Sequence, residues 1–176
     1  RNSMYLDMTY FQGELYVPGY KYSDSGSISD ILNIVGDINF DWYIQEYEKS
    51  YLIRLIGKSN YDKLIKNASP DSEHINQWTD LRDMIFNVSN GFKTSPAANY
   101  VYFFFMRNFQ SQTSPTGEVK GTQDHTHIVS PYGKLVRVWN RMVEMSNRIH
   151  RYLCDNKDKY DDFPTYDFRP INEFGI

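Results

Sequence analysis

At 176 residues the chain suits one domain, large enough for a real core but short for two. Nineteen basic against twenty-two acidic residues leave a net charge of −3, which excludes a global basic field for gripping nucleic acid. The single cysteine, Cys154, excludes an internal disulfide, suits a reducing cytoplasm and, in a helical run, reads as a small buried hydrophobe. Fifteen tyrosines, eleven phenylalanines and three tryptophans make the chain 16% aromatic. Tyrosine combines large contact area with a polar tip, so tyrosines outside helices favour subunit contacts; codon usage accounts for the excess equally well. No apolar run approaches the roughly twenty residues that cross a bilayer. No signal-peptide pattern opens the chain, and its start at Arg1 rather than Met reads as trimming or an earlier beginning.

In chain order, residues 1–22 read as an extended arm, with Tyr10, Phe11, Leu15, Tyr16 and Val17 around Gly13 and a stop at Pro18-Gly19. Residues 40–66 predict two helices. Tyr43, Ile44, Tyr47, Tyr51, Leu52, Leu55 and Ile56 recur at spacings of three and four on one face, and Glu46, Lys49, Ser50, Arg54 and Lys58 meet water. Gly57 supplies a left-handed stop, Ser59 a cap for the second helix, and Asp37 and Asp41 acidic residues for the start of the first. Three of the chain's four Ser-Pro pairs, at 69–70, 95–96 and 130–131, then punctuate the chain, each placing a capping hydroxyl before a proline suited to the first helical position. Behind the first, Ile75, Trp78, Leu81, Ile85 and Val88 predict a helix ending near Asn90-Gly91. Behind the second, AANYVYFFFMRNF is apolar nearly all round, hence buried on most sides, and Arg107 at its end calls for a dedicated partner. Behind the third, Leu135, Val136, Val138, Trp139, Met142, Val143, Ile149 and Leu153 predict a helix of about six turns.

Between the last two helices, residues 110–130 form a long polar connection in which Thr116 to Gly121 can turn as a β-hairpin. The end of the chain, residues 158–176, carries Tyr160, Phe163, Tyr166, Phe168 and Phe174 with two prolines that forbid a regular helix. Such an aromatic tail folds back on its own domain or docks on a neighbour. The expected fold class is mainly α: a helical bundle, residues 23–157, with extended arms at 1–22 and 158–176 and a long loop or hairpin between the last two helices.

Catalytic signatures are sparse. Asp124, His125 and His127 have metal-ligand residue types, and an H-x-H pair on a strand shares one face. His74 and His150 stand alone, without metal-ligand spacing, so exposed histidines in a polar loop are the favoured reading. Glu46 and Glu48, two apart, point to different sides of a helix and share no site. No G-x-S-x-G and no phosphate-cradling glycine loop is present. Arg137, Arg141, Arg148 and Arg151 make a basic stripe that can meet phosphates or an acidic surface, weighed against a plain solvated helix face. Two alternatives therefore stand beside a structural role: a small metal-dependent hydrolase using 124, 125 and 127, and a DNA-contacting packaging protein using the stripe.

Several blocks resemble the head–tail connector, or neck adaptor, proteins of tailed bacteriophages, especially those of Bacteroidetes including the crAss-like group. YIQEYEKSYLIRLIGKSNYDKL at 43–64 is similar to the family pattern I-x-x-Y-E-x-x-x-L-x-x-L-L-G-x-x-L-Y-x-x-L, with Tyr47, Glu48, Leu52, Leu55, Gly57 and Tyr61 at matching positions. MTYFQGELYVPG at 8–19, YVYFFFMRNFQSQTSPTGEV at 100–119 and KLVRVWNRMVE at 134–144, with Trp139, support it; residues 71–93 carry little of it. The resemblance implies a structural virion protein, not an enzyme, without cofactor or metal, assembled in the host cytoplasm at the head–tail interface and making no membrane contact. It implies a homo-oligomeric ring of about twelve copies that binds the portal, extends the DNA channel and seats the next neck or tail component. Subunit and portal contacts are expected from Tyr10, Phe11, Tyr16, Glu118, Lys120, Tyr160, Phe163, Tyr166, Phe168 and Phe174, with the arms ordering on docking.

Overall fold

A computed structural model describes residues 5–17, 40–112 and 131–172, and the fold is mainly helical, with five α-helices and one small two-stranded sheet. α1 (Phe40–Ile56) buries Tyr43, Ile44, Tyr51, Leu52, Leu55 and Ile56, the stripe that the three-and-four spacing predicts. Gly57 ends it at a φ of +83°. A Cβ there would lie 3.2 Å from Pro164 Cδ and 3.3 Å from the Asp162 carbonyl oxygen, so both backbone conformation and close approach require glycine. α2 (Lys58–Asn67) follows at once and buries Asn60 and Leu64. Ser59 does not cap it, because the helix has already begun at Lys58; its hydroxyl donates to Asp161 instead.

α3 (Gln77–Ile85) is shorter than the expected helix and starts later. Its cap is Asn76, whose side chain accepts from the Trp78 and Thr79 amides while Thr79 Oγ1 accepts from the Asn76 amide. Ser69-Pro70 therefore opens a turn rather than a helix. The expected helix runs to Asn90-Gly91, but residues 87–94 form a hairpin of β1 (Asn87–Ser89) and β2 (Phe92–Thr94), paired antiparallel with Asn87 opposite Thr94. Asn90 and Gly91 both take positive φ, the two-residue turn whose twist matches a hairpin. The expected hairpin within 110–130 lies outside the described residues.

α4 (Pro96–Gln112) is capped by Ser95, whose hydroxyl accepts from the Ala97 amide. It runs between α1 and α5 (Pro131–Asp155), antiparallel to both. Ring pairs Tyr43–Phe105, Tyr47–Phe104 and Tyr51–Tyr100 zip it to α1; Phe103–Trp139 and a 3.0 Å bond from Asn99 Nδ2 to the Val138 carbonyl join it to α5. Arg107 is exposed on α4, with no ion-pair partner among the described residues, contrary to the expectation of a dedicated one.

Both ends of the described chain pack onto these helices. Residues 5–17 form two short 3-10 turns, Met8–Tyr10 and Gly13–Leu15, rather than an extended arm, and bury Tyr5, Leu6, Tyr10, Phe11 and Val17. Residues 160–171 double back along α5: the Tyr160 hydroxyl donates to the Gln77 carbonyl, that of Tyr166 to Val143, and the Trp139 indole to Arg169. Asn140 then closes a reciprocal pair with the Ile171 amide and carbonyl. A chain with no regular structure satisfies its polar groups on helix side chains this way, which lets a proline-bearing tail lie against a core.

Candidate functional site

The first unusual feature is a buried acid. Glu48 sits on α1 between Ile44 and Leu52, 4% exposed, with its two carboxylate oxygens accepting the Tyr5 amide at 3.0 Å and the Leu6 amide at 2.8 Å. Burial pushes its carboxyl up to about 7, and the two amide bonds oppose part of that rise. The same segment is held by the Tyr5 hydroxyl, which donates to the Ala68 carbonyl at 2.5 Å, and by stacking of the Tyr5 ring on Phe86. Glu48 is thus a clamp on residues 5–6. Nothing in the arrangement presents it to a substrate.

The second feature is a cleft of about 740 Å³ between α3 with its hairpin and the outer face of α5. Arg141 and Arg148 project from α5, and Lys159 from the turn after it, while Asp80 and Asp83 line the opposite wall. Met84, Ile85, Met145, Ile149 and Tyr152 supply apolar surface between them. Arg82 holds Asp83 at 2.9 Å and donates to the Ser69 and Ser72 carbonyls. Among the described residues Arg141, Arg148 and the Lys159 ammonium have no ion-pair partner, and Glu144, between the arginines on the helix, pairs with neither. The stripe seen in the sequence is therefore split: Arg137 pairs with Glu14 at 3.3 Å, and Arg151 is exposed outside the cleft.

Large apolar side chains are left exposed on α3 and the hairpin, where the register sets Val88 and Phe92 on opposite faces. Of seven such residues among those described, Ile75, Met84, Val88 and Phe92 fall on α3 and its flanks; Ile75 is 86% exposed and Phe92 74%. Tyr16, Trp42 and Tyr132 are the others.

The expected contact residues divide. Tyr10, Phe11, Tyr160 and Phe168 are buried in the chain's own core, Phe163 and Tyr166 are half-buried against it, and Tyr16 is 55% exposed. Phe168 lies between the Tyr51 ring and the Arg54 guanidinium, 4.4 Å from its centroid. Glu118, Lys120, Phe174, Asp124, His125 and His127 lie outside the described residues. Of the pattern residues, Leu52, Leu55 and Trp139 are buried, Tyr47 and Tyr61 are half-buried, and Gly57 is the positive-φ break. Cys154 is half-buried, not fully, and its Sγ lies 3.6 Å from His150 Nδ1, one helical turn away. His150 Nε2 has no partner among the described residues, so no third group orients the imidazole as a nucleophile's base requires.

Among the described residues no three or more His, Cys, Asp or Glu side chains gather to hold a metal ion, and no helix is long and apolar enough to cross a membrane. Comparison of the chain with protein-family models, curated proteins and solved structures finds no match.

Proposed function

We propose that the chain is a structural subunit of a tailed-bacteriophage head–tail connector, a ring of about twelve copies under the portal that prolongs the DNA channel and seats the next neck component. The observation that carries this reading is the exposed apolar set Ile75, Met84, Val88 and Phe92. Single exposed hydrophobes are ordinary, but a fold that covers Tyr5, Tyr10, Phe11, Tyr160 and Phe168 with its own segments has the means to hide such groups. Exposed apolar side chains at both ends of one short helix and on both faces of the hairpin behind it suit an element inserted between neighbouring subunits. A ring needs a heterologous contact, one surface of each copy against a different surface of the next. Trp42 and Tyr132, in the first turns of α1 and α5, lie on other elements than the hairpin and suit the second surface. The pattern at 43–64 supports the reading through its resemblance to connector proteins, and in this fold it forms the α1–Gly57–α2 corner against which residues 5–6 and 162–164 pack.

Mass photometry of the full chain, alone and mixed with portal protein, tests it. Rings are expected in the mixture, and Phe92→Asp with Val88→Asp abolishes them while leaving the circular dichroism and melting of the monomer unchanged. A protein that stays monomeric with portal present, or a double variant that assembles as well as the parent, overturns the proposal.

A further inference from the structure

We infer that the cleft between α3 and α5 is a docking groove for an acidic, apolar-faced peptide segment of a partner protein. The groove is read from its charge and spacing and not from the ring assembly proposed above, with which it shares only Met84.

Charge carries it first. The molecule as a whole is acidic, at −3, yet this groove presents Arg141, Arg148 and Lys159 without ion-pair partners among the described residues. The three cations outnumber the two aspartates of the facing wall, so the α5 side of the groove is cationic on a molecule that is acidic overall, and carboxylates on a partner complement it. Arginine's planar fork also suits bidentate capture of carboxylates.

Spacing then limits the ligand. Arg141 and Arg148 are seven residues apart on one helix, about 10 Å along its axis at 1.5 Å per residue. One small anion cannot bridge that gap. Carboxylates two turns apart on a partner helix match it. Between the arginines lies Met145, and Met84 and Tyr152 extend the apolar floor, so the segment carries hydrophobic side chains between its acids. Methionine adapts to varied partners, and two line this groove.

The opposite wall separates a peptide from a nucleic acid. Asp80 and Asp83 face the groove and would meet a phosphodiester chain with like charge, whereas a peptide can place a neutral or basic residue there. The groove is selective by attraction on one side and repulsion on the other.

The probe is a fluorescein-labelled amphipathic peptide of about 14 residues, four helical turns, with glutamates seven apart and leucines between them. Its anisotropy is followed on titration with the full chain, beside a counterpart carrying glutamine for each glutamate and an unlabelled single-stranded oligonucleotide of equal charge as competitor. The acidic peptide is expected to bind, weakening with salt, and the glutamine counterpart to bind at least about tenfold less tightly. Arg141→Glu with Arg148→Glu abolishes binding at unchanged circular dichroism, while Arg151→Glu, outside the groove, retains it. Equal affinity for the two peptides, equal binding by the double variant and Arg151→Glu, or displacement by the oligonucleotide at lower concentration than by acidic peptide overturns the inference, the last by assigning the groove to phosphates.

Discussion

Replacing Glu48 with glutamine keeps the shape of the side chain and removes its ability to ionise. In the parent, the carboxyl titrates near 7 in the fold against an ordinary 4.5 in the unfolded chain. The folded state therefore binds the proton more tightly, so this group favours folding at low pH, and its contribution is lost as pH rises through 7. Integrating between those two values gives roughly 2.5 kcal/mol more stability from this residue at pH 5 than at pH 8. Glutamine at 48 has no such dependence. It also sets an amide donor against the Tyr5 or Leu6 amide, leaving one buried N–H unmet at a cost of about 1–3 kcal/mol at every pH. At pH 8 that cost is offset by removing a buried charge, and parent and variant come out within about 1 kcal/mol of each other. At pH 5, where the parent carboxyl is largely protonated in the fold and only the unmet N–H separates the two, the variant is the less stable by roughly 1–3 kcal/mol. Urea denaturation of both proteins at pH 5, 6, 7 and 8 reads the difference directly, because every other titrating group cancels between them. Two stability curves that run parallel from pH 5 to 8 would refute the reasoning and mean that the two amides keep the carboxylate ionised throughout.

Phe168→Ala, which empties a site between Tyr51 and the Arg54 guanidinium, is expected to cost about 3–5 kcal/mol in denaturant titration and to expose the tail to trypsin at Arg169. Asp167→Asn, which breaks only the exposed ion pair with Arg54, should cost less than about 1 kcal/mol by the same measurement; a larger loss would mean that charge, not the ring, holds the tail. Gly57→Ala is expected to lower stability by about 1–3 kcal/mol, since alanine must take a positive φ and press on Pro164, and a thermal melt reads it.

How much of this was legible in the sequence depends on whether the deciding interaction is local. Spacings of three and four located α1, the Ser95 cap the start of α4, and Pro131 at the first helical position the start of α5, because capping and amphipathicity act within a few residues. Asn90-Gly91 was also readable as a hairpin turn, but Val88 fitted the helical period of Trp78, Leu81 and Ile85, and a three-residue strand has too few residues to show alternation. The destination of the chain ends was beyond local reasoning. Aromatic segments with proline and glycine read equally well as docking arms and as covers for their own core, and only tertiary contacts such as Tyr166 to the Val143 carbonyl decide between them.

Glu48 did leave a signal. It lies four residues from both Ile44 and Leu52, on the apolar stripe, where a carboxylate belongs only if donors meet it. The donors come from Tyr5 and Leu6, more than forty residues earlier, so the residue could have been marked as buried while its partners stayed hidden. The groove repeats the lesson for surfaces. Arg141 and Arg148 were visible as members of a stripe, and Arg137 looked like an equal member. What separates them is the far wall: Glu14 neutralises one, and α3 with its two aspartates turns the others into one side of a cleft. A charge pattern on a single helix becomes a recognition surface only through what the fold sets opposite it.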